Sequence, residues 1–480
     1  MKGASNSRML ISQKNHKAKE APMSINIINT PIKHVRSIVQ QLRIQDNLPF
    51  TDVLSPELIS LKINDISYRE RIFSPALTIY GFLSQALSPD QSCQAAVSQI
   101  IAHLMSKGKC SPSANTSAYS QARTRLPEGI LSDLARESAK DLENQANKGW
   151  LWQNRHVKMP DGTSMSMPDT PENQALYPQP SSQKEGCGFP IARLVGVFSL
   201  STGALLDLAM APWSGKKTGE HALLRKLMHV FEAGDIVLAD AYYGSFFLIA
   251  TLQEMKVDAV FPLHAGRSHD FRKGERLGKK DHIVCWKKPV KPEWMNIQTY
   301  ATFPETIKIR ETAIVDTRPG YQTRTRVLVT TFLNSKEVTP QNLGELYGYR
   351  WYVELNLRSV KETMHMDILR SKTPKMVHKE IWAGILAYNL VRKIMAQAAE
   401  IHQRNPRKMS FKLSLQMISA FRQAGILDED NALYDRFLVA IASKKVGERP
   451  GRSEPRMVKR RPKPFPRLQK SRNLYIQRMA

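Results

Sequence analysis

DIVLADAYYGSFFLIATLQEMKVDAVFPL, residues 235–263, is the stretch that decides the fold. DIVLAD is a short apolar run closed by Asp240, the pattern of a strand buried on both faces. FFLIATLQEMKV reads as a helix and DAVFPL as a second buried strand. A strand, a helix and a strand in so short a span make a parallel unit. Just upstream, HALLRKLMHVFEAG is apolar at helical spacing and ends on Gly234.

Before that helix the pattern turns to strands. ARLVGVFSL and ALLDLAMAPW are strands joined by the turn Ser201-Thr202-Gly203. Arg155 to Met159 is another, running through Pro160 into Asp161-Gly162-Thr163. The order is strand, strand, strand, helix, strand, helix, strand. Three antiparallel strands followed by parallel ones alternating with helices predict a ribonuclease H-like α/β core. In that fold the ends of the first and fourth strands lie side by side, and here those ends carry Asp161 and Asp240.

Downstream, residues 264–335 interrupt the alternation. A charged stretch, HAGRSHDFRKGERLGKKDH, precedes the strand-like runs DHIVCW, TIKIRETAIV and RTRVLVTTFL, so a β-rich insertion is expected there. Helical pattern resumes near Gln341 and continues to about Gln403. The catalytic core is therefore placed at 149–403, with a C-terminal helical segment and basic tail at 404–480. From Lys444 that tail is rich in Pro and Arg with little to bury, the composition of a disordered segment.

Upstream, residues 1–48 are polar and basic and read as a flexible arm. Residues 49–148 read as an all-helical N-terminal domain. ALTIYGFLSQALS and SPDQSCQAAVSQIIAHLMSKG are helices, and SANTSAYSQARTRLPEGILSDLARES opens a third, small and polar one. Such a third helix fits a helix-turn-helix, with Gln121, Arg123 and Arg125 as candidate DNA contacts. A plain helical bundle fits the pattern equally well.

The chain has 480 residues, too many for one compact core. Lys and Arg number 70 against 43 acidic residues, a net charge of +27. A surplus of that size points to a polyanion, because each neutralised phosphate releases a condensed counterion. The four cysteines form no CxxC pair and the twelve histidines no metal motif, so neither a zinc ribbon nor a disulfide framework is indicated, which fits a reducing compartment. The segment MKGASNSRMLISQKNHKAKE lacks the apolar stretch of a signal peptide. The most apolar helix, Ile381 to Met395, is interrupted by Asn389, Arg392 and Lys393. A cytoplasmic, nucleoid-associated protein without membrane contact is expected.

LYGYRWYVELNLRSVKETM carries the third acidic residue. Tyr347, Arg350, Glu354 and Lys361 follow the spacing Tyr-x2-Arg-x3-Glu-x6-Lys. On a regular helix they fall at roughly 0°, 300°, 340° and 320°, one narrow stripe. Leu346, Val353, Leu357, Val360 and Met364 form an adjoining apolar stripe at roughly 220° to 280°. A helix buried on the second stripe holds the polar four at the rim of the core. Phosphodiester cleavage by hard cations needs acidic side chains there, with Arg and Lys for phosphate. A solvated face, with i,i+4 pairs such as Arg350–Glu354, would show the same helix. Asp161 and Asp240 tip the reading because the fold brings them together. Asp235 and Asp281 read as turn or cap residues.

Taken together, these segments resemble the DDE transposases of insertion sequence family four, whose signature is that Tyr-Arg-Glu-Lys pattern. DGT at Asp161, PDTPENQALYPQP, TGALLDLAMAPW, KTGEHALLRKL, GDIVLADAYYGSFFL, YRWYVELNLRSVKETMHMDILRSKTP and SCQAAVSQIIAHL all carry the resemblance, which spans most of the chain. It implies Asp161, Asp240 and Glu354 as catalytic ligands of two Mg²⁺ ions, with Mn²⁺ as a substitute. It implies Tyr347, Arg350 and Lys361 as residues that hold the cleaved DNA end. It implies cut-and-paste transposition: binding of terminal inverted repeats, nicking by water, hairpin formation by the freed 3′-OH, reopening, and joining to target DNA. A homodimer on double-stranded DNA, in a synaptic complex, is the natural partner state. Hairpin formation in that group is helped by a flipped base stacked on an aromatic ring, for which Trp351 and Trp286 are the candidates.

Two other readings stay open on sequence. A ribonuclease H-like nuclease or resolvase would share the acidic residues and cut without joining. A non-catalytic DNA-binding protein derived from a transposase would need none of them intact.

Overall fold

The computed structural model describes residues 72–316, 324–423 and 431–444 apart from 107 and 111, with a few single positions outside these spans. The arm expected over 1–48, and nearly all of the tail from Lys444, lie outside the described residues.

Among the described residues nine strands form one mixed sheet. They are β1 (Val157–Ser166), β2 (Ile191–Ser199), β3 (Leu205–Pro212), β4 (Ile236–Leu238), β5 (Asp258–Pro262), β6 (Glu275–Gly278), β7 (Asp281–Lys287), β8 (Thr306–Asp316) and β9 (Arg324–Thr330). Their spatial order is β3-β2-β1-β4-β5-β9-β8-β7-β6. β1, β2 and β3 pair antiparallel, while β4 runs parallel to β1 and β5 parallel to β4. The strand order read from residues 155–263 is thus present. The β-rich insertion has its strands too. They extend the same sheet, because β9 pairs antiparallel with β5 and β8 with β9.

The helices are α1 (Pro75–Leu87), α2 (Cys93–Ser106), α3 (Ser117–Arg125), α4 (Glu128–Asn144), α5 (Pro171–Leu176), α6 (Glu220–Lys226), α7 (Phe246–Glu254), α8 (Ile297–Thr302), α9 (Pro340–Gly348), α10 (Trp351–Arg358), α11 (Pro374–Ile401), α12 (Phe411–Gln423) and α13 (Asn431–Ser443). Three differ from the expected pattern. The helix expected from SANTSAYSQARTRLPEGIL is two, because Pro127 cannot continue α3 and instead opens α4. The helix before β4 stops at Lys226, and Gly234 closes the following turn at φ +94°. The Tyr-Arg-Glu-Lys segment is not one regular helix. It breaks between α9 and α10 and ends in a π-turn over Ser359–Thr363.

α11 is the long central helix, and its polar residues bind it to its neighbours. Asn389 accepts from the Leu205 N–H at 2.9 Å and donates to the carbonyls of Leu205 at 3.0 Å and Ala135 at 3.2 Å. It therefore ties β3 and α4 to α11. The Tyr388 hydroxyl donates to the Gly203 carbonyl at 2.7 Å. Arg392 donates to the Tyr388 hydroxyl at 2.9 Å and to Asn356 on α10 at 2.6 Å. The side chains Ile130, Leu131 and Leu134 of α4 belong to the same hydrophobic core as the sheet. Among the described residues no helix is long and apolar enough to cross a membrane.

Asp281, expected as a turn or cap residue, does close the β6–β7 turn opposite Gly278, and its side chain has a further task. Its two carboxylate oxygens accept from Nε and Nη2 of Arg310, both at 2.7 Å, and Arg310 is completely buried. The pair joins β7 to β8 inside the insertion. Removing one partner leaves a buried charge alone, which costs about 3–5 kcal/mol. Asp281→Asn should therefore lower stability by about that amount, and chemical denaturation followed by fluorescence checks it. A midpoint within error of the unsubstituted chain would contradict it.

Candidate active site

Asp161 does not end its strand, as the sequence suggested. It lies inside β1, paired with Gly196 of β2, and β1 runs on to Ser166 because β2 keeps pairing with it. The parallel pairing with β4, however, stops early: Val157 faces Ile236 and Lys158 faces Val237. Three residues beyond Lys158 is Asp161, and three beyond Val237 is Asp240. The register thus brings the two aspartates out at one level, where β4 has ended and β1 has not.

Each aspartate is held by backbone. Asp161 Oδ1 accepts from the Gly162 N–H at 2.8 Å. Asp240 Oδ1 accepts from the Tyr242 N–H at 2.9 Å, which caps the tight turn Ala241–Tyr243. Burial pushes the Asp161 carboxyl up to about 6. The Gly162 N–H and Arg350 oppose that rise, and the charges of Asp240 and Glu220 add to it.

Arg350 reaches the same place from the N-cap of α10. Its guanidinium is 4.0 Å from Asp161 Oδ2 and ion-paired with Glu354 one turn on. Val353, next to Glu354, is buried, as are Leu346, Val360 and Met364, so the apolar stripe packs as expected. Leu357 is half-buried. The polar stripe holds less well. The Tyr347 ring stands 5.9 Å from the Arg326 guanidinium. Lys361 falls in the π-turn, whose wider winding breaks the helical phase, and it makes no ion pair among the described residues.

Two neighbours were not singled out in the sequence. Glu220, the first residue of α6, accepts from the Tyr243 hydroxyl at 3.3 Å. Its carboxylate lies against Gly162 so closely that a Cβ there would come within 2.4 Å of Cδ. His221 donates from Nε2 to the Tyr242 carbonyl at 2.7 Å, with its ring 4.7 Å from that of Tyr242. Burial raises the Tyr243 hydroxyl above its ordinary value, and Glu220, Asp161 and Asp240 raise it further. KTGEHALLRKL held the signal, but only the fold shows that its Glu-His pair faces the aspartates.

The aromatic candidates separate. Trp351 is 49% exposed. Trp286 is buried on β7, its N–H donating to Glu311 at 3.1 Å and Arg267 covering its ring at 3.7 Å. It packs inside the insertion. Among the DNA contacts expected on α3, Gln121 and Arg125 are exposed. Arg123 is turned inward to Gln85 at 3.1 Å and Cys93 at 3.2 Å, over the rings of Phe82 and Tyr119.

Residues 157–390, which include Asp161, Asp240 and Glu354, match the family described as the transposase DDE domain. Over 430 residues the chain is 27% identical to the transposase InsG of insertion sequence element IS4 from Escherichia coli strain K12, covering 86% of this chain and 92% of that one. The chain is thus similar to DDE transposases of the IS4 family along most of its length. A transposase of insertion sequence element IS421 from Escherichia coli is 30% identical over 79 residues, 16% of this chain and 21% of that one. A chain of a piggyBac transposase synaptic complex with hairpin DNA is 10% identical over 87% of both chains, with a TM-score of 0.39, too low to bear on the fold.

Among the described residues no three of His, Cys, Asp and Glu stand close enough to hold a metal ion as they are. The donors nonetheless suit a hard cation. Two aspartates emerge side by side, with Glu220 beside them, and the Arg350 guanidinium at the cluster is shared with Glu354. Ionising Asp161 under these conditions costs stability. A carboxyl whose pKa rises from 3.8 unfolded to about 6 folded stabilises the fold fully below pH 3.8, and that contribution is lost as pH rises through 6. At pH 7–8 without divalent cations, Asp161→Asn should therefore be the more stable protein, by on the order of 1–3 kcal/mol. Thermal melts across pH 4–8 check this: the gain should vanish at the acid end. A gain independent of pH would point to packing instead.

Proposed function

We propose that this transposase moves its element by cut-and-paste, with Asp161, Asp240 and Glu354 as its three catalytic carboxylates. The observation that carries the reading is the common level at which β1 and β4 bring out the two aspartates, with Arg350 linking Asp161 to Glu354. The order β3-β2-β1-β4-β5, antiparallel then parallel, supports a ribonuclease H-like core over residues 149–403. The helical region 49–148 is the proposed reader of terminal inverted repeats, with Gln121 and Arg125 exposed for it. Double-stranded DNA, held by a homodimer at synapsis, is the proposed partner, in keeping with the net charge of +27.

Two Mg²⁺ ions, or Mn²⁺ in their stead, would be held by Asp161, Asp240 and Glu354 and would supply activation of a water or of a DNA 3′-OH and charge neutralisation at the leaving oxygen. The protein's own share is positional. Asp161 and Asp240 are fixed by the Gly162 and Tyr242 N–H groups and need no reorganisation. Glu354 joins them by releasing Arg350. The guanidinium, 4.0 Å from Asp161, is then free to take a DNA phosphate with two parallel hydrogen bonds. Tyr347, on α9, and Lys361, in the π-turn after α10, are the residues proposed to hold the cut end. One strand is nicked, the freed 3′-OH closes a hairpin on the other strand, and the reopened 3′-OH joins target DNA.

A denaturing gel of end-labelled terminal DNA in Mg²⁺ tests the carboxylates. Asp161→Asn, Asp240→Asn and Glu354→Gln should each abolish cleavage, by a factor of roughly a thousand, while gel shifts show end binding nearly intact. Near-normal cleavage by any one removes that residue from the triad. Trp351 is the exposed indole beside Arg350, and loss of one base stack costs about 1–3 kcal/mol. Trp351→Ala should thus reduce hairpin yield about tenfold and leave the first nick unchanged, whereas nicking and hairpin formation falling together would place Trp351 outside base stacking.

A further inference from the structure

Glu220 is a charged residue where a packing role would be better served by a neutral one. Its carboxylate lies against Gly162, next in sequence to Asp161, and receives the Tyr243 hydroxyl, three residues past Asp240. One side chain thus touches both aspartate-bearing segments. It also adds a third negative charge to Asp161 and Asp240. Like charges so close repel, and that repulsion persists in a partly buried site. The cation at the cluster, Arg350, is already paired with Glu354. Among the described residues at this cluster four carboxylates share the Arg350 guanidinium, a surplus of negative charge that a bound cation would offset.

His221 completes the contact from the same end of α6. Its Nε2–H holds the Tyr242 carbonyl at 2.7 Å, while the Tyr242 N–H caps Asp240. The start of α6 is thereby tied to the turn that orients Asp240 and pressed against the strand that orients Asp161.

We propose that Glu220 is a positioning residue of the catalytic centre, which holds the Asp161 and Asp240 segments at a fixed separation through Gly162 and the Tyr243 hydroxyl and adds negative charge that favours divalent cation binding. This rests on the assignment of Asp161 and Asp240 as metal ligands. It also explains why residue 162 has no side chain: an alanine Cβ would displace the Glu220 carboxylate from Tyr243.

The test is Mn²⁺ binding to the full-length protein, read by electron paramagnetic resonance of the free ion, with end binding followed by gel shift. Glu220→Gln keeps the shape and removes the charge. Gly162→Ala keeps the charge and moves it. Outer-layer changes at metal sites cost about 10–100-fold in affinity, and both variants should weaken Mn²⁺ by about tenfold or more with end binding unchanged. Glu220→Asp, which restores charge on a shorter arm, should recover part of the loss. Asp161→Asn, measured alongside, separates the two ideas. If Asp161→Asn loses Mn²⁺ while Glu220→Gln and Gly162→Ala bind it as the unsubstituted protein does, Glu220 has no part in the centre. If Asp161→Asn also binds normally, the ligand assignment itself is wrong. Should Glu220→Gln lower the urea midpoint, the Mn²⁺ affinity of Gly162→Ala decides between the two outcomes.

Discussion

The short parallel pairing of β1 with β4 is the constraint on which the rest of the site depends. Two register pairs, Val157 with Ile236 and Lys158 with Val237, fix the level of both strands. A one-residue slip would turn every side chain of β4 to the opposite face and move Asp240 away from Asp161. The pairing is secured from below by a buried charge pair. Lys158 Nζ lies 2.6 Å from Asp235 and donates to the Val230 carbonyl at 2.8 Å, with both charged side chains nearly closed to solvent. A pair that buried adds little net stability, but breaking it is costly, so it acts against alternative registers.

The second requirement is to bring a helix from the far end of the chain to that spot. α11 does this with polar contacts inside an apolar core. Asn389 satisfies backbone groups of β3 and α4, Tyr388 reaches the β2–β3 turn, and Arg392 extends from Tyr388 to Asn356 on α10. Gly203 at that turn has φ +75°, and a Cβ there would meet the Arg392 guanidinium at 2.9 Å. Asn356 lies two residues after Glu354. α10, with Glu354 and its N-cap residue Arg350, is therefore placed by a buried network that begins on β3 and the β2–β3 turn, in the same sheet as β1 with Asp161. Buried polar groups are costly unless each finds a partner, and here the partners lie on β3, α4, the β2–β3 turn and α10 as well as on α11 itself, which makes the arrangement specific.

Much of this was legible in the sequence, for physical reasons. Strand β4 and helix α7 could be read because apolar runs and period are local. The apolar stripe through Leu346, Val353, Val360 and Met364 survived because burial tolerates small changes of phase. The polar stripe did not survive whole. Lys361 depended on regular winding over fourteen residues, and the π-turn at Ser359–Thr363 changed it. Asp281 could be read only as a turn residue because its partner, Arg310, is on another strand. Trp286 could not be told from an exposed indole, since its burial depends on Glu311 and Arg267 opposite. Glu220 and His221 sat in plain view in KTGEHALLRKL, but their meaning lies entirely in tertiary contacts with Gly162, Tyr242 and Tyr243.

The central claim is that the segments around Asp161, Asp240 and Glu354 surround one cation site. Replacing Mg²⁺ with Fe²⁺ and generating hydroxyl radicals cuts the polypeptide wherever backbone approaches the bound ion. The account predicts cuts in three places, near residues 161, 240 and 354, all lost together in Asp161→Asn and all competed by Mg²⁺. Cuts at only one of these segments, or at none of them while the protein still cleaves DNA in Mg²⁺, would contradict it.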